Sequence, residues 1–141
     1  MFAPGNDVVR QEEPEDPMRP SLVLVVGATG YVGSRLIPML LEQGHKVRAA
    51  GRSLEKLLTR DWAKDIGVEL CQMDMMDAES SRRAVAGCTH VYYLVHSMNP
   101  QNKDFVEADR QAALNMVAAG EQEGIKQLIY LGGLGETSAN L

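Results

Sequence analysis

The sequence predicts a three-layer α/β fold, built on a doubly wound parallel sheet with strand order 3-2-1-4-5. From Ser21 onward, short aliphatic runs alternate with helical stretches, which is typical of βαβ units. The glycine-rich segment VLVVGATGYVGSRL joins the first aliphatic run directly to the first helical pattern. Right-handed crossovers between parallel strands then give that order, with a crevice between strands one and four, where the order reverses.

The first half of the chain supplies three strands and two helices. Gly44 is a good stop for the first helix, whereas Pro38 inside it removes one backbone hydrogen bond and predicts a mild kink. Ser53 can cap the second helix through its hydroxyl group. The predicted elements are strands at Leu22 to Val26, His45 to Ala50 and Val68 to Met73, and helices at Gly30 to Gln43 and Ser53 to Trp62.

The second half supplies two helices and two strands. Asp77 caps a short helix, and small or apolar residues recur at helical spacing in the longest helix until Gly124 ends it. The predicted elements are helices at Asp77 to Ala86 and Asp104 to Glu123, and strands at His90 to Val95 and Gln127 to Leu131. The sheet is expected to be truncated after strand five, because only the segment LGGLG and a polar tail that stops at Leu141 follow it.

The 141 residues suffice for one folded domain, preceded by a short leader. Residues 1–20 contain four of the six prolines and five acidic residues, a composition that cannot bury enough apolar surface to fold alone. We therefore expect a flexible leader at residues 1–20 and a domain at residues 21–141.

Charge and hydropathy exclude several classes of protein. The formal net charge of -5, with scattered basic residues, argues against a nucleic-acid partner. No run of 18 apolar residues and no signal peptide is present, which predicts a protein of the cytoplasm without a membrane partner. Cys71 and Cys88 lack metal-ligand spacing and are expected to be buried thiols.

The glycine-rich segment has the spacing of a dinucleotide-binding turn. Gly27 permits a tight turn off the strand, Gly30 lets backbone N–H groups approach a pyrophosphate, and Gly33 lets the helix pack closely on the sheet. The helix N-terminus adds unpaired N–H groups and a partial positive charge. A purely structural turn is the alternative, but the strand before and the helix after favour a nucleotide site.

The residue type after strand two favours NADP over NAD. An NAD-binding fold usually has Asp or Glu there to bind the ribose 2′-hydroxyl, whereas this chain has Arg52 followed by Ser53. A guanidinium suits a 2′-phosphate through charge-assisted hydrogen bonds. The alternative is that Arg52 is a solvated residue between a strand and a helix, and Arg35 and Arg48 are weaker candidates.

Residues after strands three and four are expected beside the same crevice. Asp74 could accept a hydrogen bond from an adenine amino group, or it could simply form a turn, and Met75 could pack on the adenine ring. Leu94, Val95 and His96 end the fourth strand. A lone histidine without a defined carboxylate partner is more often structural than catalytic, so His96 is not assigned a catalytic role.

Asn115 lies on a small-residue face of the long helix and is expected to tie that helix to the ends of strands four and five. The cluster of Met73, Met75 and Met76 is expected to fill apolar space, since no His or Cys array accompanies it. No metal site and no catalytic residue are therefore predicted.

Five segments, GATGYVGSRL, AAGRS, YYLVHSM, DRQAALN and IYLGGLG, resemble an atypical or extended short-chain dehydrogenase/reductase. Within that group the chain is similar to NmrA-like and nucleoside-diphosphate-sugar epimerase-like proteins, from about Leu22 to Gly135. The resemblance implies a Rossmann fold, and Asn115 would match the helix asparagine of the family. The cofactor residues it implies are Gly27, Thr29, Gly30, Tyr31 and Val32 for the pyrophosphate, Arg52 for the 2′-phosphate, Asp74 and Met75 for adenine, and Leu94 to His96 for the ribose side.

Two departures from the family pattern bear on catalysis. Active members usually have Ser or Thr just after strand five, where this chain has Gly132 and Gly133. The family's Tyr-x-x-x-Lys pair, in which Tyr acts as acid or base, has no counterpart before Leu141. Either the N-terminal part of a longer protein or a natural short form is therefore expected, and the first is favoured.

Three functional hypotheses follow. The first is the cofactor-binding part of an NADP-preferring oxidoreductase or epimerase-like protein that is not catalytic as this chain. The second is a non-enzymatic redox sensor of NmrA-like type, and the third is a folding unit with a vestigial site. An unpaired sheet edge after strand five also predicts self-association.

Overall fold

The protein is represented by a computed structural model that describes residues 21–95 and 103–131, apart from the side chains of Lys103 and Phe105. Five strands form one parallel sheet in the order β3-β2-β1-β4-β5, which confirms the predicted fold class and strand order. The strands are β1 (Leu22–Val26), β2 (Lys46–Gly51), β3 (Val68–Gln72), β4 (His90–Tyr93) and β5 (Gln127–Tyr130). The predicted leader lies outside the described residues.

Helices cover both faces of the sheet. They are α1 (Tyr31–Glu42), α2 (Leu54–Leu58), α3 (Ala78–Val85) and α4 (Lys103–Glu123), with a 3₁₀ segment at Asp61–Lys64 after α2. The helix α1 continues through Pro38, as its ring at that position requires only the loss of one hydrogen bond. Ser53 and Asp77 cap α2 and α3 by accepting from the N–H groups of Lys56 and Glu79, as predicted.

Alternation along β1 explains the two hydrophobic cores. Side chains of successive strand residues point to opposite faces. Val23 and Val25 therefore belong to the core that α1 and the 3₁₀ segment complete, whereas Leu24 and Val26 belong to the core under α3 and α4. All four are at most 2% exposed, and burying each aliphatic side chain stabilises the fold by roughly 1.5–3 kcal/mol.

The predicted second helix, Ser53 to Trp62, is wrong in its C-terminal half. α2 ends at Leu58, and Arg60 has an extended backbone (φ -83°, ψ 147°) before the 3₁₀ segment begins. Leu57 and Trp62 are both buried. In one continuous helix they would lie about 140° apart around the axis, so the interruption lets both reach the core.

The remaining element boundaries differ from the prediction by one or two residues at their ends, which is the usual fraying of helices and strands. The largest such difference is at β4, which ends at Tyr93 rather than Val95. No helix in the described part of the chain combines the length and apolar character needed to cross a membrane.

Candidate functional site

A cleft of about 260 Å³ lies at the carboxyl ends of the strands, where the order of the sheet reverses between β1 and β4. Crevices at this position are the usual ligand sites of open α/β sheets. Four elements meet there, namely the turn after β1, the start of α2 and the chain after β3 and β4. The lining residues are Val26, Gly27, Thr29, Gly51, Arg52, Ser53, Lys56, Met73, Met75 and Val95.

The turn after β1 is held in one conformation by backbone contacts. Gly27 has φ +92°, a backbone conformation that residues with a side chain rarely adopt. A Cβ at this position would also lie 2.9 Å from Cγ2 of Val95. The N–H groups of Gly27 and Ala28 both donate to the carbonyl oxygen of Ala50 at 3.2 Å. The end of β2 therefore fixes the direction in which the turn leaves β1.

Gly33 allows α1 to lie against this turn. A Cβ at Gly33 would stand 2.4 Å from the carbonyl oxygen of Gly27, a contact that backbone atoms cannot relieve. At the next residue, Ser34 Oγ donates to the carbonyl oxygen of Ala28 at 3.0 Å. The requirement for glycine at position 33 is therefore close packing inside the protein, as predicted.

The protein's own packing does not require glycine at position 30. A Cβ there would meet only the carbonyl oxygen of Gly27, at 3.4 Å, which is a tolerable contact. Gly30 is the N-cap of α1, where it supplies no side-chain cap, and the first turn contains no acidic residue. The N–H groups of that turn lack acceptors within the helix, so this end suits an anion such as a pyrophosphate.

Tyr31 and Val32 lie on the exposed first turn of α1 and do not line the cleft. Their predicted role therefore concerns their backbone N–H groups. The guanidinium of Arg35 stacks 3.7 Å from the centre of the Tyr31 ring and donates to the Tyr31 carbonyl oxygen at 3.3 Å. Arg35, a weaker candidate for the 2′-phosphate, is thus placed on Tyr31 and outside the cleft lining.

The positive side of the cleft is formed where β2 passes into α2. Arg52 and Ser53 line it as the sequence suggests, and so does Lys56, which the sequence analysis did not select. A signal for Lys56 existed, because it lies four residues after Arg52 and on the first turn of α2. Neither cation has an ion-pair partner within the described residues, and no carboxylate lines the cleft there.

The chain after β3 places two methionines in the lining of the cleft and a carboxylate outside it. Met73 and Met75 line the cleft, whereas Asp74 is exposed and does not. Asp74 Oδ1 accepts from the Met76 N–H at 3.0 Å, and the Asp74 N–H donates to Ser80 Oγ at 3.0 Å. Asp74 was predicted either to bind adenine or to form a turn, and these hydrogen bonds are those of a turn-forming aspartate.

Asn115 holds this loop from the opposite side. Its Nδ2 donates to the Met75 carbonyl oxygen at 2.8 Å, and its Oδ1 accepts from Gln111 Nε2 at 3.1 Å. The prediction that Asn115 ties the long helix to the ends of strands four and five is therefore corrected. It ties α4 to the loop after β3, because its position on the helix faces that loop across the edge of the sheet.

The fourth strand contributes Val95, which lines the cleft and contacts the position above Gly27. Leu94 does not line the cleft, although its N–H donates to the Val26 carbonyl oxygen at 3.0 Å and so aligns the two chain ends. His96 lies outside the described residues, as do Gly132 and Gly133.

The groups with shifted pKa values lie away from the cleft lining. Burial, with smaller contributions from Tyr130 and Asp109, raises the pKa of Tyr93 to about 12, and its ring stacks 5.5 Å from that of Tyr130. Burial also raises the pKa of Cys88 to about 11. Both groups are therefore neutral near pH 7. No group of His, Cys, Asp or Glu in the described part of the chain could hold a metal ion.

Comparisons with known proteins agree with this architecture. The sequence pattern of the NmrA-like family matches residues 19–138. Cinnamoyl-CoA reductase 1 of Petunia hybrida is 27% identical over 119 residues, 81% of this chain and 35% of the relative. Dihydroflavonol 4-reductase of Hordeum vulgare is 30% identical over 128 residues, 82% of this chain and 36% of the relative. The chain thus spans about a third of the length of these relatives.

Solved structures show the same fold. WbmG of Bordetella bronchiseptica, in complex with NAD and UDP, has a TM-score of 0.64 and 25% identity over 77% of this chain and 36% of its own. Uronate dehydrogenase of Agrobacterium tumefaciens has a TM-score of 0.66 and 22% identity over 78% of this chain and 40% of its own.

Proposed function

The chain belongs to the NmrA-like family, and we propose that it binds a nicotinamide dinucleotide, with preference for NADP(H), as the cofactor domain of an oxidoreductase or epimerase-like protein. The reductases among its relatives and the NAD complex of WbmG support a dinucleotide of this class.

One observation carries the preference for the 2′-phosphate. The cleft places Arg52 and Lys56 on the same lining as the glycine turn, with no carboxylate among the lining residues that the structure describes. A phosphate there gains charge-assisted hydrogen bonds from both cations, whereas a ribose 2′-hydroxyl gains little. In an NAD-specific site a carboxylate at the end of β2 would repel the phosphate.

The positions of the other residues around the cleft suggest which part of the dinucleotide each would contact. The turn at Gly27, Thr29 and Gly30, with the N–H groups of Tyr31 and Val32, would hold the pyrophosphate, while Gly33 keeps α1 close to it. Arg52, Ser53 and Lys56 would hold the 2′-phosphate, and Met73 and Met75 would pack on adenine, with Asp74 at the rim. Leu94, Val95 and His96 would lie on the ribose side towards the nicotinamide. When bound, the nicotinamide ring supplies hydride transfer.

We propose that this chain is not catalytic by itself. The lining of the cleft, within the described residues, includes no His, Tyr, Cys, Asp or Glu that could move a proton. In the sequence, Gly132 and Gly133 stand where active relatives of this type have a hydroxyl. Dehydrogenase or epimerase turnover by this chain would contradict the proposal.

The same glycines support a second candidate, a redox sensor that reports the state of NADP to a protein partner without chemistry. This function requires affinities that differ between NADP and NADPH. Equal affinities, measured by competition titration, would exclude it while leaving cofactor binding intact.

Thermal unfolding with and without NADPH tests the site. Ligand that binds only the folded chain raises the melting temperature. We expect NADPH to raise the melting temperature of the wild-type chain. The rise should be smaller for Arg52→Ala and Lys56→Ala, and equal to that of the wild type for Lys46→Ala. Lys46 is an exposed lysine at the opposite end of β2 and serves as the matched control. No NADPH-dependent rise in the wild type would mean a vestigial site.

Self-association through β5 is also proposed, because β5 is the outer strand of the described sheet, and Tyr130 at its end and Leu131 just after it are 42% and 39% exposed. Light scattering across a concentration series should show a rising mass, and a constant monomeric mass would contradict it.

A further inference from the structure

Three carbonyl groups of the turn after β1 each accept a hydrogen bond. The Gly27 carbonyl oxygen accepts from the Gly30 N–H at 3.1 Å, and the Ala28 carbonyl oxygen accepts from Ser34 Oγ at 3.0 Å. The Thr29 carbonyl oxygen accepts from Nη2 of Arg60 at 3.0 Å. The first two donors belong to the segment that contains the turn, but Arg60 lies 31 residues along the chain from Thr29.

Arg60 reaches the turn because α2 ends early. The extended backbone at Arg60 separates α2 from the 3₁₀ segment, so the half-buried side chain of Arg60 belongs to neither helix. Leu57 and Trp62, which flank it, are buried in the core and fix the position from which it extends.

The guanidinium keeps this position with incomplete hydrogen bonding. Its Nε atom is buried and has no partner within the described residues. An unpaired buried donor destabilises a fold, so its presence on a charged side chain calls for an explanation outside stability, as is common at functional sites.

We propose that Arg60 is a positioning residue for dinucleotide binding. By binding the Thr29 carbonyl, it fixes the turn so that the N–H groups of the first turn of α1, which lack acceptors within the helix, are directed at the pyrophosphate, and its positive charge favours an anion there. Because Arg60 acts on the turn, it serves NADPH and NADH equally, in contrast to Arg52 and Lys56. This inference rests on the proposed dinucleotide function.

The test compares Arg60→Met, Arg60→Lys and the control Arg83→Met, titrated with NADPH and with NADH by calorimetry. Arg83 is an exposed arginine of α3 whose one ion pair with another described residue is with Glu79 at 3.7 Å. We expect Arg60→Met to weaken both dinucleotides about tenfold with an unchanged ratio between them, as for loss of a charged hydrogen bond. Arg60→Lys should recover part of the affinity, and Arg83→Met should bind as the wild type.

Binding of both dinucleotides by Arg60→Met within twofold of the wild type would overturn the inference, and so would a loss confined to NADPH. If the wild type binds neither dinucleotide, the proposed function fails. Amide hydrogen exchange without ligand then tests independently whether Arg60 holds the turn in place. Arg60→Met should then speed exchange at Ala28 and Gly30 but not at Val25 within β1. Unchanged exchange at the turn would overturn the positioning role.

Discussion

Arg48 and Arg52 lie four residues apart at β2 and the chain that follows it, yet the protein uses them differently. Nη1 of Arg48 donates to the carbonyl oxygens of Ala84 and Ala86 at 2.6 and 2.7 Å, where α3 ends, and Nη2 pairs with Glu69 at 3.5 Å. Arg52 is exposed on the cleft, with no ion pair in the described part of the chain. The donors of Arg48 are therefore occupied by the fold, and those of Arg52 are free to serve a ligand.

The comparison explains why residue type alone does not identify a ligand-binding arginine. Both arginines were candidates for the 2′-phosphate from the sequence. The side chain of Arg48, 16% exposed, donates to two carbonyl groups at the end of α3, whereas Arg52 follows the strand at the edge where ligands bind. Position relative to the carboxyl edge of the sheet separates the two roles.

The largest expected effect is on stability, from Arg48→Met. Removal of the guanidinium leaves the carbonyl group of Ala86 without its donor and that of Ala84 with only the weak thiol donor of Cys88 at 3.8 Å, at roughly 3–5 kcal/mol of unfolding free energy. Urea denaturation measures this loss. The ratio of NADPH to NADH affinity in the folded variant should stay that of the wild type, and a changed ratio would mean that Arg48 also serves the ligand.

The next effect is on selectivity, from Arg52→Asp. A carboxylate at this position repels a 2′-phosphate and can accept from a ribose 2′-hydroxyl, so NADPH should weaken about a hundredfold while NADH binds as well or better. Unfolding free energy should change by no more than roughly 0.5 kcal/mol, as for an exposed side chain. If Arg52→Asp weakened the binding of both dinucleotides equally, Arg52 would not be the residue that selects for the 2′-phosphate.

Asn115→Ala should lower both the stability of the fold and the affinity for dinucleotides, each by less than the two substitutions above. The partly buried Met75 carbonyl group loses its donor, which lowers the unfolding free energy by about 1–3 kcal/mol. Because Met75 lines the cleft, dinucleotide affinity should also fall severalfold. Gln111→Ala, which removes only the exposed donor to Asn115, is the control and should change both quantities less.

The smallest effect concerns the surface pair on α3. The hydrogen bond from Arg82, aided by the charges of Arg82 and Arg83, lowers the pKa of Glu79. A lowered pKa stabilises the folded state above the ordinary carboxyl pKa, and this contribution is lost as pH falls through the lower, folded value. Acid unfolding of Arg82→Ala should therefore depend less steeply on pH over that range than acid unfolding of the wild type. Identical profiles would show that the exposed pair contributes nothing.

The fold was predictable from the sequence because its determinants are local. Aliphatic runs, capping residues and helix-ending glycines specify the five strands, and the handedness of crossovers orders them. The interruption of the second helix was missed because it depends on two core residues, Leu57 and Trp62, that must reach the same core from one short segment.

The candidate site was predictable at the glycine turn and at Arg52, where spacing from a strand carries the signal. Lys56 was missed because a lysine on a short helix is usually solvated. The partner of Asn115 was missed because Met75 lies 40 residues away, and the rotation of α4 about its axis depends on packing. Arg60 shows the same limit, since its contact with Thr29 exists only through the tertiary fold.

The most direct test of the central claim is a calorimetric titration of the wild-type chain with NADPH and NADH in the same buffer and salt. The cleft, whose described lining contains Arg52 and Lys56 but no carboxylate, predicts that both dinucleotides bind and that NADPH binds at least about tenfold more tightly. Equal affinities, or no heat with either dinucleotide, would contradict a 2′-phosphate site at the end of β2.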